Sequence, residues 1–596
     1  MISFPKPDVE LFFRTFHIQQ FAVSRDEKQL VFSTNLNGKY DLWAMDLPHL
    51  FPYPITFQGQ NCGGIHMDPQ GRFLLAAFDQ DGNENWQIYA LPRQGGQLKP
   101  IRVNTEHKFY LEHVSADGER IYYLANHENA RYLNIYRYHL KDEKEELLVE
   151  GKDAPLVRLC VSEDETKLAF LKAFANTSIL AYVKTGEETI CLTSEEDTEH
   201  VVHDVVFYSD DHLLLATNYG EDFSYLAQFH IKEKKLTPLL TMKKEEIRGI
   251  YYQPGCDGIY LKTCKGVQDF LYHYDLKTQA LTKIPTPVSI IQQIIYTSTG
   301  TVYIAGHSST RPANIYRKKK DQYHWEALTN YRVPGIAEEA LVEPEVLTYP
   351  SYDGLEIEAL FFRAHPEISN KHVILWPHGG PQHAERKQFR ALFQFLLHRG
   401  YSIFAPNFRG STGYGHSFCK MVERDWGHGP RLDNITGVEW LIQNGYADRD
   451  KLLLMGGSYG GYMALLLAGR HADYFKAVVD IFGVSNLFSF IESVPEDWKP
   501  IMKRWVGDPV EDREKLIEDS PITYVKQMTK PILIIQGAND PRVVKNESDQ
   551  IVAKLRERGV KVEYLVLEDE GHGFSKKENE IQVYRSILQF FDQFIS

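Results

Sequence analysis

The chain has 596 residues, of which 43% are hydrophobic and 13% aromatic, and its formal net charge is −14 at pH 7. This length exceeds what one ordinary hydrophobic core holds, so we expect two or more globular domains. The negative charge argues against nucleic acid and anionic membranes as partners, and no stretch is long and apolar enough to span a bilayer.

The cysteines and the N-terminus indicate a compartment. The six cysteines are scattered, and no pair has the spacing of a zinc site or of a disulfide framework. The chain does not open on a basic region followed by an apolar core, so no signal peptide is evident. We therefore expect reduced thiols, a cytoplasmic protein, and neither a metal nor an organic cofactor.

The first half of the chain is repetitive. A short amphipathic segment, residues 9–14, comes first, and we expect this N-terminal extension (1–18) to pack on the catalytic domain. An apolar stretch, a turn with Asp, and a Tyr- or Trp-bearing strand then recur about every 40–50 residues. About seven such units predict a seven-bladed β-propeller over 19–335, with the first blade completed or closed by flanking sequence. An array of β-sandwiches is the alternative.

From about residue 344 the pattern changes. Residues 345–349 and 355–362 predict a β-hairpin, and strands then alternate with helical patterns as far as a last helix near 580–595. This alternation predicts an α/β-hydrolase domain over 336–596, with a doubly wound and mostly parallel sheet.

The strongest motif is Gly-x-Ser-x-Gly around Ser458. An apolar strand pattern precedes Gly456 and a small, apolar helical pattern follows Gly460. In this strand–turn–helix context the motif predicts a nucleophile elbow, which exposes the serine hydroxyl at a strand end. The backbone N–H of Tyr459 would then point at the oxyanion.

A nucleophilic serine needs a base and a group that orients the base. Two further buried-strand patterns run into Asp540 and His572, in the order Ser, Asp, His that α/β-hydrolases use. Because parallel strands end at one sheet edge, we expect Ser458, Asp540 and His572 to form a catalytic triad there. In the alternative interpretation, Asp540 is an aspartate of a turn and His572 is a histidine of a surface loop, and neither takes part in catalysis.

A second oxyanion donor is predicted at Gly380. The strand at 372–376 ends in His378-Gly-Gly-Pro, and a His-Gly-Gly loop after an early strand supplies a backbone N–H in esterases and lipases. The amide of Gly379 is the alternative donor. It is also possible to read the loop as a plain Gly-Gly-Pro turn with no role in catalysis.

With these motifs in place, the chain resembles the prolyl oligopeptidase family of serine peptidases, and within it the acylaminoacyl-peptidase-like branch. The segments at 378–381, 407–415, 456–461, 540–543 and 571–574 carry the resemblance. It implies a propeller followed by a hydrolase, cleavage of short peptides, and a propeller that restricts access to the site. It assigns Ser458, Asp540 and His572 as the triad, with Gly380 and Tyr459 as the oxyanion hole.

Four further residues are candidates for substrate binding. Arg542 lies two residues after Asp540, where its guanidinium could donate to a substrate carbonyl or carboxylate, or form an interdomain ion pair instead. Arg409 is a weaker candidate of the same kind. The segment 482–488 follows the strand after the elbow helix, where the family resembled here often builds its P1 pocket. Phe488 and Trp498 are candidates for an apolar wall of that pocket, with core packing as the alternative.

Three functions stay open at this point. The first is a cytoplasmic serine exopeptidase that releases an N-acylated residue from blocked peptides, with dipeptidyl- and carboxypeptidase-type specificity as variants. The second is a carboxylic-ester hydrolase, because Ser-His-Asp chemistry does not separate esters from amides. The third is a non-catalytic propeller scaffold. The P1 preference and the oligomeric state, including a homo-oligomer, stay open as well.

Overall fold

The computed structural model describes residues 7–47, 49–196 and 199–595. It contains seven four-stranded sheets, followed along the chain by one eight-stranded sheet with helices packed on it. The predicted fold class, a seven-bladed β-propeller joined to an α/β-hydrolase domain, is confirmed. Residues 1–6 of the predicted N-terminal extension lie outside the described residues.

Each propeller blade is an antiparallel sheet of four strands that are consecutive in the chain. Strands β1 to β28 have the following bounds, blade by blade: Ile18–Val23, Gln29–Thr34, Asp41–Asp46 and Tyr53–Pro54; Cys62–Met67, Phe73–Phe78, Gln87–Pro92 and Lys99–Arg102; Phe109–Val114, Arg120–Ala125, Asn134–His139 and Lys144–Val149; Leu156–Val161, Lys167–Ala175, Ser178–Thr185 and Glu188–Cys191; Val202–Ser209, His212–Thr217, Tyr225–His230 and Lys235–Leu240; Glu246–Tyr251, Ile259–Lys265, Gln268–Tyr274 and Leu281–Ile284; Ile290–Tyr296, Val302–His307, Asn314–Lys318 and Glu326–Ala327.

The ring closes through side chains, because in the described part of the chain the first and the last blade each consist of their own four consecutive strands. The Gln293 side chain on β25 accepts from the backbone N–H of Phe21 at 3.0 Å and donates to the carbonyl of the same residue at 2.9 Å. Behind this pair, Leu30 and Phe32 of the first blade share an apolar cluster with Tyr303 and Ile315 of the last. The expectation that flanking sequence completes the first blade is therefore wrong.

The catalytic domain is built on one mixed sheet. Its strands β29 to β36 are Glu345–Pro350, Glu356–Phe362, Val373–Leu375, Ser402–Pro406, Leu452–Gly457, Val478–Ile481, Ile532–Gly537 and Val562–Leu567. They lie side by side in the order β29-β30-β32-β31-β33-β34-β35-β36. The predicted hairpin is the antiparallel pair β29 and β30, and β31 to β36 are parallel to one another. The carboxyl ends of these parallel strands share one edge.

Helices cover both faces of this sheet. Helices α1 to α10 are Val9–Phe13, Ala391–His398, His416–Lys420, Gly429–Gln443, Tyr459–Arg470, Leu487–Ser493, Lys499–Trp505, Arg513–Asp519, Lys545–Glu557 and Lys577–Asp592, and short 3₁₀ turns lie at Glu338–Ala340, Ala472–Tyr474 and Pro521–Tyr524. The last helix starts three residues before its predicted position. Among the described residues, no helix has the length and hydropathy needed to cross a bilayer.

The N-terminal helix packs on the catalytic domain although the propeller separates the two in sequence. Phe12 and Phe13 of α1 are fully buried. The Phe12 ring lies 5.7 Å from that of Phe395 on α2, and the Phe13 ring stacks at 4.2 Å on that of Tyr584 on α10. The helix thus belongs to the apolar layer on one face of the hydrolase sheet.

Candidate active site

Ser458 lies at a sharp turn between β33 and α5. Its backbone φ is +58°, in the left-handed region that side-chain-bearing residues rarely occupy. The turn is closed by contacts that only glycine permits: a Cβ on Gly456 would lie 2.1 Å from the carbonyl oxygen of Gly460, and a Cβ on Gly460 would lie 2.1 Å from that of Pro377. The predicted elbow conformation is therefore built into the motif.

Ser458, His572 and Asp540 form one hydrogen-bonded chain. His572 Nε2 lies 2.9 Å from Ser458 Oγ, and His572 Nδ1 lies 2.7 Å from Asp540 Oδ2. The other carboxylate oxygen of Asp540 accepts from the backbone N–H groups of Arg542 and Val543 at 2.9 and 3.0 Å. The carboxylate is thereby fixed, and it can hold the imidazole with a proton on Nδ1 and a free Nε2.

Two backbone amides next to Ser458 are available to an oxyanion. Within the described part of the chain, the N–H groups of Tyr459 and Gly380 donate to no acceptor. Tyr459 is the first residue of α5, where helical N–H groups lack internal partners. The Gly379 amide is equally uncommitted, and a Cβ on Gly379 would lie 3.5 Å from the Ser458 Cβ. Either glycine could therefore supply the second donor.

The serine opens into a cavity of about 730 Å³ that is lined by residues of the catalytic domain together with Phe13 and His17 of the N-terminal extension. Beside Tyr459 its wall is aromatic: Trp426, Phe490, Trp498 and Trp505 line it together with Val484 and Val543. The Trp426 and Trp505 rings meet edge to face with centroids 5.0 Å apart, and the Trp498 ring lies 6.0 Å from that of Trp505. This lobe suits an apolar side chain of a substrate.

About the last third of the chain matches a known family. The model of the prolyl oligopeptidase family matches residues 387–596. The C-terminal part of this chain is a prolyl oligopeptidase family domain. The protein is accordingly a serine hydrolase, as the motifs predicted.

Curated relatives carry several peptidase names. The chain is 27% identical over 576 residues to dipeptidyl peptidase family member 6 of Caenorhabditis elegans, which covers 87% of this chain and 77% of the relative. It is 40% identical over 225 residues to dipeptidyl aminopeptidase BIII of Pseudoxanthomonas mexicana, covering 37% of this chain and 32% of that protein. It is 26% identical over 276 residues to the acylamino-acid-releasing enzyme of Rattus norvegicus, covering 44% and 37%. The last two matches span only about a third of each relative.

A solved structure shares the whole architecture. The puromycin-hydrolyzing peptidase of Mycobacterium tuberculosis superimposes with a TM-score of 0.87 over 100% of this chain and 97% of its own, at 18% identity. At this identity the likeness supports the two-domain fold and nothing finer.

Two of the predicted substrate-binding residues line the cavity. Arg542 and Trp498 do so, with the guanidinium 5.8 Å from the Trp498 ring centroid. Arg542 Nε also binds the carboxylate of Glu84, 2.9 Å away, on a loop of the second blade. Arg542 thus forms the interdomain ion pair that was the alternative, and it also lines the cavity.

The other two predicted residues lie elsewhere, and their interpretation is corrected. Arg409 is buried, with Nε and Nη2 bonded to the Asp433 carboxylate at 2.9 and 2.7 Å and Nη1 bonded to Asp353 at 2.9 Å. This ion-pair cluster ties the hairpin β29–β30 to α4. Phe488 does not line the cavity with Ser458; it borders a separate surface cleft, where the Arg513 guanidinium lies 5.7 Å from its ring.

Three residues at the site were not predicted from the sequence, because their positions depend on the fold. Phe482 has a φ of +43° and places its ring 4.5 Å from the His572 ring. It directly follows β34, so its position at a strand end was an available signal. Glu84 and Trp426 carried no local signal, because a propeller loop and a loop before α4 bring them to the site.

A buried carboxyl group lies beneath the elbow. Asp480 on β34 is fully buried, and its Oδ1 accepts from the backbone N–H of Gly483 at 2.9 Å. Burial raises the pKa of Asp480 to about 7. A Cβ on Gly461 of α5 would lie 2.3 Å from the same oxygen. The carboxyl group thus links β34 to the first turn of the elbow helix.

Proposed function

We propose that this protein is a serine exopeptidase of short peptides, which releases an N-acylated residue from a blocked peptide through an acyl-enzyme on Ser458. The observation that carries the proposal is the Ser458–His572–Asp540 hydrogen-bonded chain on an aromatic-walled cavity.

The geometry supports the following steps. His572 Nε2 accepts the Ser458 proton as Oγ attacks the scissile carbonyl, and Asp540 stabilises the imidazolium through Nδ1–H. The oxyanion takes hydrogen bonds from the amides of Tyr459 and Gly380. His572 then gives its proton to the leaving amine, and the acyl group stays on Ser458. Water, activated by the same imidazole, hydrolyses the acyl-enzyme and restores the hydroxyl group.

The charges in the cavity favour a blocked N-terminus over a free one. Recognition of a free ammonium group needs an uncompensated carboxylate. Among the described residues, no two adjacent glutamates line the cavity that holds Ser458. Glu84 of the propeller reaches this region, but Arg542 already neutralises it. An N-acyl group carries no charge and needs no such partner, and Arg542 can donate to its carbonyl oxygen.

A dipeptidyl-peptidase specificity is the second candidate. Of the relatives described above, one is named dipeptidyl peptidase family member 6 and another dipeptidyl aminopeptidase BIII. Glu84 would then exchange Arg542 for the substrate's ammonium group. Ester hydrolysis on the same triad is expected as a side activity.

Matched chromogenic substrates separate these specificities. The set contains an acetylated single residue, a free-amine dipeptide, a blocked Gly-Pro, and an internally quenched peptide with a free C-terminus, each with Ser458→Ala as the control. We expect the acetyl-aminoacyl substrate to give the highest kcat/KM, with no turnover by Ser458→Ala. A preference for the free-amine dipeptide or for release from the C-terminus would contradict the acylated substrate class. The assignment of the triad would still hold.

The cytoplasm is the compartment that we propose for this activity. All six cysteines are free thiols, as proteins of reducing compartments commonly have. We also propose that short peptides, rather than nucleic acid or membranes, are its partners. Fractionation of the source cells, with the activity of Ser458 followed by a fluorophosphonate probe, tests both: the label should appear in the cytosol and not with membranes.

A further inference from the structure

The cavity continues past Ser458 into a second lobe. This lobe is bounded by Phe13 at the end of α1, Arg390 immediately before α2, and Glu580 and Tyr584 on α10. It differs from the aromatic lobe beside Tyr459 because it contains both a cation, Arg390, and a carboxylate, Glu580. None of the steps proposed above uses this lobe.

Arg390 is held rigidly at the wall of the second lobe. Its Nε donates to Glu385 Oε1 at 2.8 Å, and its guanidinium lies 5.5 Å from the ring centroids of both Trp376 and Phe393. Glu385 is fully buried, and it also accepts from the Trp376 indole at 3.0 Å and from Gln388 at 2.9 Å. Only one edge of the guanidinium is therefore occupied.

The other edge of Arg390 is free. Within residues 7–47, 49–196 and 199–595, its Nη1 and Nη2 groups make no hydrogen bond, and 33% of the side chain is exposed. Neither nitrogen is among the buried polar atoms that lack a partner, so at least part of this edge reaches the cavity. Two parallel N–H groups of a fixed guanidinium match the two oxygens of a carboxylate.

The surrounding charges permit an anion at this position. Glu385 offsets the single positive charge of Arg390. The carboxylate of Glu580 is bound by Lys577 Nζ at 2.8 Å. The lobe thus pairs two cations with two carboxylates. An entering carboxylate meets the free edge of Arg390.

The second lobe lies on the leaving-group side of the serine. His572 must deliver a proton to the leaving amine, so the leaving group lies next to this imidazole. Aromatic contacts lead from His572 into the lobe: Phe482 lies 4.5 Å from His572 and 5.8 Å from Phe574, and Phe574 lies 6.0 Å from Tyr584. Phe13 stacks on Tyr584 at the far end.

We propose that Arg390 binds the C-terminal carboxylate of the leaving group, so that the enzyme selects short peptides whose scissile bond lies close to a free C-terminus. This inference rests on the proposed function, since it assigns the leaving-group subsite of the same reaction. The specificity comes from a charge-assisted, two-point contact at Arg390. The helix α1 limits how far the leaving group extends.

The test compares free acids with their amides. Acetyl-phenylalanyl peptides with one, two or three alanines after the scissile bond are prepared in both forms, and kcat/KM is normalised to active sites titrated with a fluorophosphonate. For at least one length the wild-type enzyme should prefer the free acid by about 10- to 100-fold. In Arg390→Gln this preference should disappear, and in Arg390→Lys it should be intermediate.

Matched arginine variants make the result specific. Arg363→Gln removes an exposed guanidinium that binds Glu345 on the hairpin β29–β30, and it should keep the wild-type ratio of acid to amide. Equal turnover of acids and amides at every length by the wild-type enzyme would overturn the proposal. A preference for the free acid that survives in Arg390→Gln would also overturn it. The same holds if Arg542→Gln abolishes this preference and Arg390→Gln retains it.

A binding measurement separates this proposal from the proposed function. If acetylated peptides are not cleaved, the acylated substrate class fails, but the leaving-group subsite is still tested by protection of Ser458. The free acid Ala-Ala should slow fluorophosphonate labelling of the wild-type enzyme at concentrations at which Ala-Ala amide does not. Equal protection by the two compounds, or equal protection in wild type and Arg390→Gln, would contradict the role of Arg390.

Discussion

The two domains contribute to the active site in different ways. The catalytic domain supplies the three groups of the Ser458–His572–Asp540 chain, each just after a parallel strand of one sheet. The propeller supplies contacts around that chain: Glu84 binds Arg542, and Gly82 packs so closely that a Cβ on it would lie 2.7 Å from the backbone N of Gly571. The Ser458–His572–Asp540 chain thus lies at the edge of the catalytic sheet, while a propeller loop contacts Arg542 and the loop that carries His572.

The largest effect should come from Asp540→Asn, which tests whether chemistry is confined to the catalytic domain. An amide in place of the carboxylate would donate to His572 Nδ1, so the imidazole would take the tautomer that cannot accept the serine proton. We expect kcat to fall by about 10⁴-fold, as in other triads, with an unchanged melting temperature. A loss of less than about tenfold would mean that another group orients the histidine.

In Arg409→Met the catalytic domain should unfold more readily, and KM should stay unchanged. It leaves the fully buried Asp433 carboxylate without its cation, which typically costs about 3–5 kcal/mol of unfolding free energy. The exposed pair of Arg363 and Glu345 is the control, and Arg363→Met should cost no more than about 1 kcal/mol. Denaturant unfolding measures both. A changed KM in folded Arg409→Met would restore a substrate-binding role for this residue.

Asp480→Asn tests the buried carboxyl group beneath the elbow through pH. The folded-state pKa, about 7, lies above the unfolded value of about 3.9. The protonated form is therefore favoured by folding, and this contribution, present in full below about pH 4, is lost as the pH rises through 7. Asn mimics the protonated form at every pH. Relative to wild type, the melting temperature of Asp480→Asn should rise between pH 5 and pH 9; a constant difference would contradict the shifted pKa.

Glu84→Gln should have the smallest effect and should act on binding. It removes the propeller's charge from Arg542 while leaving Ser458, His572 and Asp540 in place. Since the pair is partly exposed, we expect KM for acetylated substrates to change by only a few-fold, with kcat within about twofold. Asp257→Asn, which breaks the exposed pair with Lys320 in another part of the propeller, is the matched control. A large fall in kcat would instead place the propeller in the chemistry.

The same contrast explains what could be predicted from the sequence. The elbow at Ser458, the loop of His572 and the strand-end Asp540 could be predicted because they are local patterns. Tight turns and buried strands require particular residues at fixed spacing. Seven repeats of one strand pattern were likewise enough for the propeller. Arg409 and Phe488 were misplaced because proximity in sequence to a motif does not determine where a side chain points. Arg390 and Trp426 were not found, because they reach the cavity only through the packing of the catalytic domain's own loops and helices. Glu84 was not found, because it reaches Arg542 only through the packing of the propeller on the catalytic domain.

The most direct test of the central claim is fluorophosphonate labelling of the full-length protein followed by peptide mass mapping. We expect one adduct per chain, on Ser458, that is absent from Ser458→Ala and forms much more slowly in Asp540→Asn. Labelling at another residue, or none in a folded wild-type protein, would contradict the assignment of Ser458 as the nucleophile.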